Sequence, residues 1–236
     1  AGSDLGGAGF ETVVLASFHI SSTGDINYNN TPIASGGAVV ADLDPNLASV
    51  FGSMKTSGGG QVQNLLMSFG GGGCFSGQAI GYWDFLHLKG LIAQYSNPAD
   101  NPFFQNLAAI FAAYPIDGID IDLEVYQSAF LCQGGFAATY QEFTSTLTTL
   151  AGWLSGQGKL TTIAPFDTFD FWASLLQATF VGGTQQIAWV NLQGGNLSPA
   201  DDAGFIQQLS GLSIGVSNLD AFISSGMQIS SGATPD

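Results

Sequence analysis

The chain has no arginine and only three lysines, Lys55, Lys89 and Lys159, against eighteen acidic residues in 236 positions, giving a formal net charge of −15. Such scarcity of cations excludes the basic footprint that nucleic acid or an anionic membrane surface requires. It also means that salt bridges cannot neutralise most of the carboxylates. Charged residues of both signs make up only 9% of the sequence, so Ser, Thr, Asn, Gln and Gly must supply most surface polarity. That composition is common among secreted proteins, and a secreted, extracellular location is the expectation. Cysteine and histidine are equally sparse, with Cys74, Cys132, His19 and His87 scattered over separate segments; no zinc spacing exists, and no metal is expected. The glycine run Gly70 to Gly73 lacks the Gly-Lys-Ser/Thr ending of a phosphate loop and the spacing of a dinucleotide fingerprint, so no cofactor is expected. Nor is there a run of about 18 apolar residues that would make a spanning helix.

What the chain does have is apolar bulk: 45% hydrophobic residues and 33 glycines, enough for a sizeable core in a single domain over residues 1–236. Apolar runs of strand length recur at Thr12 to Ile20, Asn64 to Phe69, Ile116 to Val125, Leu160 to Pro165, Gln186 to Gln193 and Met227 to Ser230. Between them, Tyr82 to Tyr95, Pro102 to Tyr114, Ala137 to Leu154, Phe171 to Phe180 and Asp201 to Leu209 carry apolar residues at helical spacing. Strands alternating with helices predict a parallel α/β sheet covered by helices. A TIM-type (β/α)8 barrel is the leading architecture and an open doubly wound sheet the second. Cys74 and Cys132 each follow a strand by a few residues, so a disulfide is feasible if those strands are neighbours.

One segment carries chemistry. Residues 117 to 124 read Asp-Gly-Ile-Asp-Ile-Asp-Leu-Glu. In a strand, Asp120, Asp122 and Glu124 share one face, while Ile119, Ile121 and Leu123 point to the other. Crowding like charges on one side is costly, so at least one of the three carboxyls should keep its proton near neutral pH, the condition that a general acid needs.

Asp117-Gly118-Ile119-Asp120-Ile121-Asp122-Leu123-Glu124 matches the DGxDxDxE signature of glycoside hydrolase family 18, the chitinases and endo-β-N-acetylglucosaminidases, and Ser68-Phe69-Gly70-Gly71 resembles that family's SxGG motif. Ala16 to Ile20 and Thr161 to Pro165 are similar to the family's second and fifth barrel strands. The resemblance implies a neutral N-acetylglucosamine-containing oligosaccharide or glycan as partner. It implies Glu124 as general acid, then base; Asp122 as the group that orients the 2-acetamido substituent during its attack on the anomeric carbon; and Asp120 beneath, sharing a proton with Asp122. No enzyme nucleophile is then required. Asp117, Ser68, Gly70, Gly71, Tyr126, Gln193 and Asn196 become candidate substrate-binding residues, with Trp172, just past the fifth strand, a candidate stacking platform.

The sequence departs from the family pattern twice. Where a Tyr is usual after the sixth strand, Gln193-Gly194-Gly195-Asn196 has Gly195; a missing donor of that kind costs roughly two orders of magnitude in rate. Aligned this way, the chain also lacks clear counterparts of the first and last strands, so the barrel is expected to be reduced or open at one seam, which favours self-association. Three readings stay open: a retaining hydrolase of β-1,4-linked N-acetylglucosamine, a chitinase-like binding protein that turns over little or nothing, and a self-assembling protein on a reduced barrel. His19 ends its strand where it could line a cleft, His87 falls mid-helix, and Trp153 and Trp189 read as packing.

Overall fold

The computed structural model describes residues 10–28, 31–40, 47–56, 62–71, 74–75, 78–123, 139–165, 169–193 and 199–225, with backbone alone at 74–75, 78–79, 199–201 and 225. In chain order the strands are β1 (Thr12–Ile20), β2 (Ile26–Tyr28), β3 (Thr31–Ser35), β4 (Ala38–Val39), β5 (Asn64–Gly70), β6 (Cys74–Phe75), β7 (Gln78–Ala79), β8 (Gly118–Asp122), β9 (Leu160–Ile163), β10 (Phe180–Val181), β11 (Thr184–Gln185), β12 (Trp189–Leu192) and β13 (Ile223–Ser225). The α-helices are α1 (Leu47–Thr56), α2 (Ile80–Gln94), α3 (Pro102–Ala113), α4 (Tyr140–Gly156), α5 (Phe169–Ala178), α6 (Pro199–Ser210) and α7 (Leu219–Phe222).

Local chemistry explains several boundaries. Asn101 caps α3, its side-chain oxygen accepting from Phe103 N at 3.0 Å, with Pro102 in the first turn, where its missing N–H costs nothing. Thr139 and Glu142 close a reciprocal capping box at the start of α4. Pro115 follows the end of α3, and the residue before a proline disfavours the helical region.

The main sheet runs β13-β12-β9-β8-β5-β1-β2-β3-β4. From β13 to β1 every pairing is parallel, and β1 to β4 form an antiparallel meander. This is the α/β arrangement that the strand–helix alternation predicts. Among the described residues the sheet does not close into a barrel: β13 and β4 are its edges.

The two faces differ in chemistry. Outward residues pack under the helices; Ile119 and Ile121 of β8 are buried, Phe69 of β5 meets Phe103 edge-on at 5.8 Å, and Phe143 meets Trp172 edge-on at 5.2 Å. Inward residues at the same level include Ser68, Asp120, Asp122, Thr162, Asn191 and Gln193, joined by hydrogen bonds. A continuous apolar core therefore lies on one side of the sheet and a polar stripe on the other.

The strand expected at Met227 to Ser230 lies outside the described residues; β13 precedes it. The β2–β4 meander and α1 were not anticipated. The meander's strands are two to five residues long, too short for alternation to register.

Candidate active site

The site is built on β8, an interior strand of the parallel run, and on the ends of its neighbours. Strand pairing sets Ser68 of β5 beside Asp120 and Gly70 beside Asp122, while Thr162 of β9 pairs with Asp120 from the other side. Asp120 is 3% exposed. Its Oδ1 accepts from Thr162 Oγ1 at 2.5 Å and from Asn191 Nδ2 at 2.8 Å, and its Oδ2 accepts from Ser68 Oγ at 3.1 Å. Asn191 is held in turn, because Trp189 Nε1 donates to its Oδ1 at 2.9 Å, which leaves the amide NH2 facing the carboxyl. Burial pushes the Asp120 carboxyl above the ordinary aspartate range, against the hydrogen bonds from Thr162, Asn191 and Ser68, which favour the ionised form.

Asp122, two residues nearer the carboxyl end, is partly exposed. Its Oδ1 accepts from Gln193 Nε2 at 2.6 Å, and the same amide donates to the Ala164 carbonyl at 2.9 Å. The Asp122 carbonyl accepts from Gly71 N at 2.7 Å. Both glycines of the Ser-Phe-Gly-Gly motif have positive φ, +107° at Gly70 and +93° at Gly71. A Cβ on Gly70 would collide with the Asp122 carbonyl, and one on Gly71 would lie 3.7 Å from Asp122 Oδ2. These glycines let the end of β5 press onto β8 where the carboxylate emerges.

Ser68, Gly70, Gly71, Asp120, Asp122 and Gln193 thus come together at the end of the sheet. Glu124, Tyr126, Asn196 and Cys132 lie outside the described residues, and Cys74 belongs to β6, of which only the backbone is described.

Two candidates are corrected. Asp117 does not reach the site: it precedes β8 at the opposite, amino-terminal end of the sheet, where its Oδ2 accepts from Lys55 Nζ and from Leu65 N at 2.7 Å. It is an anchor between α1, β5 and β8. Trp172 is 3% exposed and packed against Phe143 inside the helical layer, so its ring presents no face to a sugar; the amphipathic phase of α5 turns it inward. Sequence reasoning missed Thr162 and Asn191, whose signal was a polar residue at an inward position of an otherwise apolar strand.

Among the described residues no group of three or more His, Cys, Asp or Glu side chains could hold a metal. The arrangement offers a buried acid whose burial favours the protonated form and a partly exposed carboxyl fixed by an amide, with the neutral donors Ser68, Thr162, Asn191 and Gln193 beside them. This suits a neutral ligand that itself donates and accepts hydrogen bonds.

No family model matches the sequence, and no curated protein does. Solved structures do share the fold. The C-terminal domain of a Desulfitobacterium hafniense DCB-2 protein ascribed to the chitinases aligns over 92% of this chain and 57% of its own at 12% identity, with a TM-score of 0.53. Catalytic domain 2 of the Ostrinia furnacalis Group II chitinase, in complex with an N-acetylglucosamine pentamer, aligns over 81% of this chain and 43% of its own at 14% identity, with a TM-score of 0.50. The chain therefore has a chitinase-like α/β fold and spans about half the length of these structures.

Proposed function

We propose that the chain is a glycosidase acting on β-1,4-linked N-acetylglucosamine, in chitin or in the chitobiose core of N-glycans, through substrate-assisted retaining catalysis. The observation that carries this reading is the Asp120–Asp122 pair on one strand face, with Asp120 buried among Ser68, Thr162 and Asn191 and Asp122 at the open end of the sheet. In this reading Asp122 accepts the acetamido N–H and aims the acetamido carbonyl oxygen at the anomeric carbon. As that oxygen forms its bond to carbon, the bond to the leaving oxygen breaks and Glu124 supplies the proton. Glu124 then takes a proton from water, which opens the oxazolinium with net retention. A protonated Asp120 prevents two neighbouring carboxyls from ionising together, so Asp122 can carry the charge that the oxazolinium needs. Gln193 is the donor that fixes Asp122.

Glycan binding with little or no turnover is favoured by one specific observation: Gln193 commits one amide hydrogen to Asp122 and the other to Ala164, leaving it none for the acetamido carbonyl. Hydrolysis of a fluorogenic N,N′-diacetylchitobioside and of a high-mannose glycopeptide decides between the readings. The glycosidase reading predicts turnover that Glu124→Gln lowers by at least about 100-fold. Binding without turnover in the unsubstituted chain would rule it out.

A further inference from the structure

A cavity lies between the end of β1 and helix α2. Asp84 and His87, three residues apart on one helical face, grip both polar groups of a single backbone unit. Asp84 Oδ1 accepts from Ile20 N at 2.6 Å, and His87 Nδ1 meets the Ile20 carbonyl at 2.6 Å. Asp84 Oδ2 also meets His19 Nδ1 at 2.9 Å.

These bonds fix the chemistry of the imidazoles. A carbonyl oxygen only accepts, so His87 Nδ1 carries the proton, and the Nε2 of the neutral ring is an acceptor. The Asp84 carboxyl engages His19 Nδ1, which leaves Nε2 as the other polar atom of that ring. Both rings line a cavity of about 530 Å³, together with Trp83 and Asn27. Among the described residues, Trp83 Nε1 is buried with no hydrogen-bond partner. The cavity's size falls in the range of small-ligand sites.

We propose that this cavity is a second, non-catalytic binding site for a neutral pyranose sugar. The His87 Nε2 acceptor calls for a ligand with hydroxyl donors, the Asn27 amide calls for acceptors on the same ligand, and a sugar hydroxyl is both. Neither Lys nor Arg lines the cavity, which disfavours an anionic ligand. His19, Asp84 and His87 do not form a group that could hold a metal ion, since Asp84 and both Nδ1 atoms are already committed to one another and to the Ile20 backbone. Ile80 and the Trp83 indole supply the apolar surface that pyranose C–H faces pack against. The choice of an acetamido sugar as probe rests on the glycan reading above; the site itself does not require turnover.

The test follows the tryptophan indole N–H resonances of the Glu124→Gln chain, with the Trp83 signal assigned by its loss in Trp83→Phe, as N,N′-diacetylchitobiose is added. The Trp83 signal should move and saturate at millimolar sugar, and Asn27→Ala should weaken that binding roughly fivefold, the worth of one hydrogen bond. A Trp83 signal that stays in place overturns the site, even if the unsubstituted chain hydrolyses the fluorogenic substrate. A saturable Trp83 shift that weakens in Asn27→Ala upholds the site, even in a chain with no turnover.

Discussion

Asp120 concentrates the electrostatics of the site. Burial holds its folded-state carboxyl above the aspartate range, whereas in the unfolded chain it ionises at the ordinary value. Below that value both states are protonated and its contribution to stability is fully present. As pH rises, the unfolded chain ionises first and is stabilised relative to the native state, so the contribution is lost on the way up to the raised folded-state pKa. Asp84, also raised chiefly by burial, acts in the same direction. Urea midpoints followed from about pH 4 to pH 8 should therefore fall with rising pH, and Asp120→Asn should flatten that fall without abolishing it. An unchanged slope would show that Asp120 titrates as an ordinary surface acid. Alternation alone made Asp120 and Asp122 legible in the sequence, because a β-strand permits only two faces. Asp117 misled because its motif continues past the strand end: β8 starts at Gly118, and the residue before it serves the other end of the sheet.

Elements with long apolar periodicity were legible to within a few residues: β1 spans Thr12–Ile20, and α3 spans Pro102–Ala113 with its Asn-Pro start signal. The short meander was not, since strands of two to five residues are defined by their partners and their turns. Trp172 was misplaced for a related reason: its position after the fifth strand suggested a loop-face platform, but α5 already begins at Phe169 and its phase buries the ring. The junction of β5 and β8 depends most on a single atom. Gly70 has positive φ and lies against the Asp122 backbone, so Gly70→Ala should cost about 3 kcal/mol or more, from strain and overpacking together. Gly36→Ala, also at positive φ but with open space around it, should cost less, only the backbone strain. Thermal unfolding of the two variants makes the comparison, and equal losses would mean that the β5–β8 contact is not tightly packed.

On the scale of the whole molecule, parallel strands under a helical layer hold a polar inner face that an apolar core could not tolerate. Among the described residues β1 pairs with β2 only over its last part, Phe18 to Ile20, and Val14 of β1 is 39% exposed. The inner face therefore opens where a closed barrel would continue. The sequence foresaw an open seam from the count of strands, while the partners of Asp120 became visible only once β9 and β12 were set in register beside β8. The account turns on whether this open, chitinase-like sheet still directs the substrate's own acetamido group at the anomeric carbon. The most direct measurement is the proton NMR spectrum of the first products released from N-acetylglucosamine oligomers, read before mutarotation. Substrate-assisted catalysis predicts that the new reducing ends appear as the β-anomer; α-anomer formed first, or no hydrolysis at all, would contradict the account.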